Sequence, residues 1–318
     1  MSKKIEDLER ALSARKNLVD YALKYPLAFA QLWVPHCHRW DGLSDKSKRA
    51  RGCGQPMTHI AGNVWSCLNC DIKEKRTSQN QAIQMLASEA TLISGGNRAG
   101  KTQLGAQLAV AVAAGKKCEW VQAWMKLNNI PDHYIQDNPA TVWIAALSYK
   151  DALEYQRPKI DQYLPALSKK TRWTSQDRGI VTLPNGGRIV SMSCDAGRES
   201  FQGSSAKLIW LDEEPPEPVF EECMLRTVDN RGRCIITATP LKGLTFLYDR
   251  FVEEAHDGFN LVQISGLDNP YISSVKMRKV VSHLSEASQR ARLYGEFTSQ
   301  SGLVSVSYTH LTLPTSLI

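Results

Sequence analysis

Apolar positions recur along this chain with two periods, and the changes of period mark its elements. Residues 5, 8, 12, 18, 19, 22 and 23 are apolar with charges between them, close to the 3.6-residue period of an amphipathic helix. That helix is expected to end before Pro26 and to pack its apolar face on the rest of the protein. Residues 79–87 read as a short helix. Four later runs are almost continuously apolar and of strand length: ATLISG at 90–95, TVWIAAL at 141–147, KLIWL at 207–211 and CIITA at 234–238. Runs without alternation belong to strands buried on both faces, as in parallel sheets covered by helices. Between them, 101–114 and 149–163 read as helices. VTLP, then Asn185-Gly186-Gly187, then RIVSMS reads as a β-hairpin. A short strand at 260–264 and a polar helix over 273–297 complete the pattern. Strands alternating with helices predict an α/β fold, a mainly parallel sheet with helices on both faces.

The first apolar strand runs into chemistry. Residues 90–105 read ATLISGGNRAGKTQLG, and from Gly95 to Thr102 they match G-x-x-x-x-G-K-[ST] in full. Glycines let successive backbone N–H groups curl around a phosphate, and the helix that follows offers its positive end to the same anion. Gly95, Gly96, Asn97, Arg98, Ala99, Gly100, Lys101 and Thr102 are therefore expected to bind the phosphates of ATP. Lys101 should reach the β/γ-phosphates, and the Thr102 hydroxyl should ligate Mg²⁺. The third apolar strand ends in Asp212-Glu213, 111 residues after Lys101. Asp212 is the expected second Mg²⁺ ligand, and Glu213 the group that activates water. The fourth ends in Thr237-Ala238-Thr239-Pro240, which places two hydroxyls where open α/β sheets bind ligands. Thr237 and Thr239 are expected to sense the γ-phosphate. Gln81, fourteen residues ahead of Gly95, has an amide suited to reading the adenine edge.

Residues 36–70 differ in character: HCHRW, a basic stretch, then WSCLNC. Cys67-x-x-Cys70 has the spacing of a zinc knuckle. Cys53-Gly54 with Met57 resembles the second half of another, C-x-x-C-G-x-x-M, but Ala50 stands where its first cysteine belongs. That gives three ligands, with the fourth among His36, Cys37, His38 and His59; Cys37 is favoured. Such a zinc would be structural. The basic run at 46–51 is a solvated loop or a phosphate contact.

Composition narrows the class. The chain has 318 residues, 22% charged and 42% hydrophobic, as in ordinary globular domains. No apolar run approaches 18 residues and the start is charged, so neither a membrane span nor an export signal is expected. A net charge of +7 is compatible with a polyanionic partner.

With GGNRAGKT, KLIWLDEEPP and TATP in this order, the chain resembles the large terminase subunit of tailed bacteriophages over roughly residues 25–304. Arg98 lies at the arginine-bearing position of that family's P-loops, and Glu199-x-Phe201-Gln202-Gly203 resembles its headful-packaging subgroup. The resemblance implies an ASCE-type P-loop NTPase that couples ATP hydrolysis to translocation of double-stranded DNA into a prohead. It also implies a homo-oligomeric ring on the portal protein, a small terminase subunit as partner, and an arginine supplied in trans. Arg198 is the candidate for that arginine, with Arg226, Arg231 and Arg233 as rivals. The expected location is the host cytoplasm, docked transiently on the prohead and absent from the mature virion. The expected organisation is a helical segment (1–35), a zinc-ribbon-like insertion (36–75), the ATPase domain (76–300) and the start of a linker (301–318). Residues 307–315 resemble translated sequencing adapter, so the native chain is expected to continue beyond about Val304; the resemblance implies that a nuclease domain follows there, with no nuclease activity expected within this chain. A superfamily 2-type helicase or DNA translocase, and a non-catalytic zinc-stabilised DNA-binding module, are the competing readings.

Overall fold

Each apolar run becomes a strand whose two faces are both covered. The structure is a computed structural model that describes residues 2–37, 53, 55–61, 63–70, 72–84, 87–166, 173–174 and 179–299. In chain order, α1 (Ser2–Lys24) leads through a 3₁₀ turn (Pro26–Phe29) to three short strands, β1 (Thr58–Ala61), β2 (Val64–Cys67) and β3 (Ile72–Lys75). These form a separate antiparallel sheet, in the order β1-β2-β3. Then follow α2 (Gln79–Gln84), β4 (Ala90–Gly95), α3 (Lys101–Ala114), α4 (Glu119–Leu127) and β5 (Thr141–Ala146). A broken helix comes next: α5 (Tyr149–Asp151), a π-helical turn (Ala152–Gln156) and α6 (Arg157–Asp161). The rest is β6 (Ile180–Thr182), β7 (Arg188–Ser193), β8 (Leu208–Asp212), α7 (Glu217–Thr227), β9 (Arg233–Ala238), α8 (Phe246–Tyr248), β10 (Phe259–Ile264), α9 (Ser274–Val281) and α10 (Glu286–Tyr294).

The main sheet has seven strands in the order β10-β4-β9-β8-β5-β7-β6. Every pairing is parallel except β6 with β7, the expected hairpin. Its tight turn requires Gly186, whose φ is +91°. One apolar layer, with Trp124, Leu104 and Trp210, lies under α3 and α4. The other, with Trp143, Phe201 and Phe220, lies under α7. The sheet is therefore a buried plane, and its exposed working edge is the carboxyl end of the strands.

Two expectations change. The second half of α1 does not lay an apolar face on the core: Leu18, Val19 and Leu23 are at least half exposed. The end of the helix, next to Pro26, reaches the domain. There Tyr25 stacks on Trp120 with ring centroids 6.0 Å apart. The helix expected over 273–297 is two, because Ser273 and Ser285 each cap a new N-terminus through the side-chain oxygen. The chain also contains α4 and α7, which the apolar pattern did not single out.

Candidate nucleotide and magnesium site

Four elements end together. β4 runs into the Gly95–Thr102 loop, and β9 and β8 follow it in the sheet. Register puts Ser94 beside Ala238 and Asp212 beside Thr237. Thus one strand separates the phosphate-loop strand from the Asp-Glu strand, and Thr237-Ala238-Thr239 lies between the two.

The Lys101 ammonium is buried and donates to the carbonyls of Gly95 (2.9 Å) and Gly96 (3.2 Å) and to Thr239 Oγ1 (2.8 Å). Burial lowers its pKa, against the pull of Glu213 and Asp212. Thr239 Oγ1 also bonds the Gly95 carbonyl at 3.0 Å, and the Thr239 amide donates to Glu213 Oε2 at 3.3 Å. Thr102 Oγ1 is 3.4 Å from Asp212 Oδ1. The Thr237 hydroxyl donates to the same oxygen at 2.7 Å while accepting the Trp210 indole N–H at 2.8 Å. Burial pushes Asp212 up to about 6, with Thr237 opposing the rise. Glu213 has a φ of +71°, a left-handed conformation costly for a side chain of its type, which turns its exposed carboxylate out of the strand line. Here Thr102, Asp212 and Glu213 open onto a cleft of about 630 Å³, also walled by Asp151, Tyr155 and Lys159.

The loop is braced from outside. Arg98, at the middle of the motif, has φ +60°, and its carbonyl accepts from Asn269 Nδ2 at 2.8 Å. The Asn97 amide donates to the Arg292 carbonyl at 2.6 Å, at the end of α10. A Cβ on Gly96 would meet the Leu293 carbonyl oxygen at 2.4 Å, so glycine there is a packing requirement. α3 starts at Gly100, φ +80°, with no side chain capping it, leaving its first N–H groups for an anion. Gly105 in α3 admits the Trp210 ring, which a Cβ would meet at 2.1 Å.

Gln81 accepts through its Oε1 from the Ser78 amide at 2.9 Å, closing the first turn of α2. The glutamine that touches the loop is Gln79. Among the four arginines, Arg226 pairs with Glu222 and Arg233 donates to the Tyr134 carbonyl at 3.2 Å. Arg198 and Arg231 are exposed and carry no ion pair among the described residues. In the small sheet, one sulfur each of Cys37, Cys53, Cys67 and Cys70 lies within 4.8 Å of the other three. Tetrahedral zinc with Zn–S bonds of about 2.3 Å needs sulfurs roughly 3.8 Å apart, so the set fits. Of the other ligand candidates, His38 and the basic run at 46–51 lie outside the described residues.

The family model for the terminase large subunit, T4likevirus-type, N-terminal, matches residues 92–304. The chain belongs to this family. The large terminase subunit of Salmonella phage P22 is 27% identical over 108 residues, 34% of this chain and 22% of that one. Among solved structures, the large terminase of the thermophilic bacteriophage D6E (crystal form 2) matches with a TM-score of 0.50 and 11% identity, over 70% of this chain and 54% of that one. The HK97 large terminase matches with a TM-score of 0.49 and 14% identity, over 77% and 52%. The terminase chain described here thus spans about half the length of these solved relatives. The D6E likeness concerns the fold, a mainly parallel sheet flanked by helices. The terminase match includes Lys101, Thr102, Asp212, Glu213, Thr237 and Thr239 and lies wholly after the cysteine cluster. Trp33, Gln79 and Asn269 brace the site but belong to no motif; Trp210 lies within the KLIWLDEEPP run, and Gly105, a glycine inside a helix, stands opposite it. Among the described residues no helix is long and apolar enough to cross a membrane.

Proposed function

We propose that this chain is the ATPase part of a viral DNA-packaging motor, coupling ATP hydrolysis to movement of double-stranded DNA into a prohead. The observation that carries the reading is the meeting of Lys101, Thr102, Asp212, Glu213 and Thr239 at one sheet edge, within a terminase family match. Residues 95–102 bind the triphosphate, with loop amides and the start of α3 facing it. Lys101 leaves the Gly95 and Gly96 carbonyls for the β/γ-phosphates. Thr102 and Asp212, whose oxygens are close enough to touch one ion, hold Mg²⁺. When bound, Mg²⁺ neutralises charge on the β- and γ-phosphates. Glu213 accepts a proton from the attacking water in the cleft beside Asp212. Thr239 links Lys101 to Glu213, so a change at the phosphate reaches the β9 loop. Arg98 approaches the phosphates from the loop. Arg198 of a neighbouring copy in a homo-oligomeric ring supplies the trans arginine, with exposed Arg231 as its rival, since Arg226 and Arg233 are already engaged.

The partners in this reading are double-stranded DNA, a portal protein and a small terminase subunit, in the host cytoplasm and on the prohead. Cys37, Cys53, Cys67 and Cys70 hold a structural Zn²⁺, and the nuclease function lies outside this chain. A motor must not stall on particular sequences, so its DNA binding is dominated by phosphate contacts and weakens steeply with salt. The test is ATP turnover with and without double-stranded DNA, comparing the parent with Lys101→Ala and Glu213→Ala. Turnover that rises with DNA and disappears in both variants supports the motor. Undiminished turnover in Glu213→Ala removes Glu213 as the base.

A further inference from the structure

The phosphate loop is oriented by groups that grip its carbonyls from behind. Trp33 Nε1 donates to the Ala99 carbonyl at 3.2 Å, and Gln79 Nε2 donates to the Gly100 carbonyl at 2.8 Å. The two residues also hold each other, because Gln79 Oε1 accepts the Trp33 backbone N–H at 3.0 Å. Trp33 is 4% exposed and Gln79 2%. Both ends of the Gln79 amide are thus spent on this clamp.

We propose that Trp33 and Gln79 are positioning residues for phosphate binding, fixing the directions of the Gly100 and Lys101 amides. Among the described residues no peptide bond is cis. Across a trans peptide plane, the carbonyl of one residue and the N–H of the next point opposite ways. Holding the Ala99 carbonyl toward Trp33 turns the Gly100 N–H away from it, toward the concave side of the loop. The Gly100 carbonyl, which accepts from Gln79 and also from the Leu104 N–H of α3 at 3.0 Å, does the same for the Lys101 N–H. These are the amides at the α3 N-terminus, where an anion is bound. Gly100 fits the clamp closely: a Cβ there would lie 2.5 Å from Gln79 Nε2 and 3.1 Å from Trp33 Nε1. The two residues are 46 positions apart and stand on either side of the cysteine-bearing sheet, so the two feet of that insertion meet on the phosphate loop.

The inference rests on the nucleotide reading above. The experiment is calorimetric titration of the full chain with Mg·ADP, Mg·GDP and Mg·pyrophosphate. It compares the parent with Gln79→Glu and Trp33→Phe, with thermal melts to establish folding and steady-state ATP kinetics alongside. Gln79→Glu removes the donor to Gly100 and places an acceptor against an acceptor. It is expected to weaken all three ligands alike, about ten- to a hundredfold, with KM for ATP rising more than kcat falls. Trp33→Phe keeps a ring, loses the donor, and is expected to weaken all three by about three- to tenfold. If Gln79→Glu does not fold, Trp33→Phe carries the test. Unchanged affinities in a folded variant overturn the clamp. A loss confined to ADP, with pyrophosphate unaffected, overturns it in favour of base reading by Gln79. A parent that binds none of the three removes the nucleotide reading and the clamp with it.

Discussion

Around Lys101, the functional groups hang from strand ends and from the start of α3, beside a sheet whose two faces are covered by large apolar layers. Around Cys67, the buried apolar residues among those described are four: Cys37, Met57, Trp65 and Cys67. The two regions hold polar chemistry in place by different means. At the sheet edge, backbone geometry is over-determined, so the protein tolerates a left-handed Glu213, a buried Lys101 and a carboxylate raised to about 6. The small sheet has β1 wholly exposed and only alternate positions of β3 partly covered. So little burial does not offset the entropy of ordering it, and the thiols must contribute the difference. The Gln55 amide holds Cys53 down to about 7, whereas Cys53 and burial push Cys70 up to about 12. Four thiols so close share protons poorly and suit a cation.

The comparison can be broken from either side. The largest effect is expected from removing the zinc proposed above. Chelation, or Cys70→Ala, should unfold the small sheet while the main domain keeps its cooperative melt, since structural zinc sites are worth on the order of 10 kcal/mol at neutral pH. Limited proteolysis should then cut within 38–75 first. Metal content below about 0.2 equivalents per purified chain, with the segment still protected, would sink the metal assignment. Next comes Glu213→Gly. Loss of the base should cut ATP turnover by about 10²–10⁴-fold, while relief of the left-handed backbone raises stability by about 1 kcal/mol. Activity and denaturant midpoints measured together should therefore move in opposite directions.

Gly105→Ala tests the packing behind the edge. A methyl group driven into the Trp210 ring should cost about 1–3 kcal/mol in urea denaturation and disturb the Trp210–Thr237–Asp212 hydrogen-bond chain. The smallest effect concerns Asp212. Its raised pKa means that the folded protein holds a proton that the unfolded chain releases. This group's contribution to stability therefore falls as pH rises from about 4 to about 6. Asp212→Asn should remove that slope and raise stability at pH 7. In the parent, Mg²⁺ affinity should fall as pH drops through about 6, which metal titration across pH 5–8 would read. A flat profile would mean that the carboxylate is not held as described.

The phosphate loop, the Asp-Glu strand end and the two threonines were legible in the sequence because each sits at a strand-to-loop junction with its own residue signature. The cysteine grouping was legible down to Cys37, since thiol spacing limits the choices. The contact of Gln79 with the phosphate loop was not legible: spacing along a helix gives no direction until the helix is docked, and docking turned Gln79 inward. The apolar stripe of α1 was visible too, yet Leu18, Val19 and Leu23 are exposed, and the contacts shown lie at the end of the helix, where Tyr25 stacks on Trp120 and the Lys24 carbonyl accepts from the Ala166 amide. The split between α9 and α10 was missed because a serine in a polar stretch reads equally well as helix interior or as cap.

What the sequence determined by itself was local and periodic: buried parallel strands, the anion-binding loop with its lysine and threonine, and the acidic pair after an apolar run. These follow from backbone sterics and side-chain chemistry that act over a few residues. The tertiary structure alone decided which strands are neighbours, and hence that Thr237 bonds Asp212 and Thr239 bonds Lys101. It also brought Trp33, Gln79, Asn269 and the end of α10 against one loop from positions more than 200 residues apart in the chain. Contacts of that range depend on how whole layers pack, and no local pattern encodes the direction in which a side chain will meet another element.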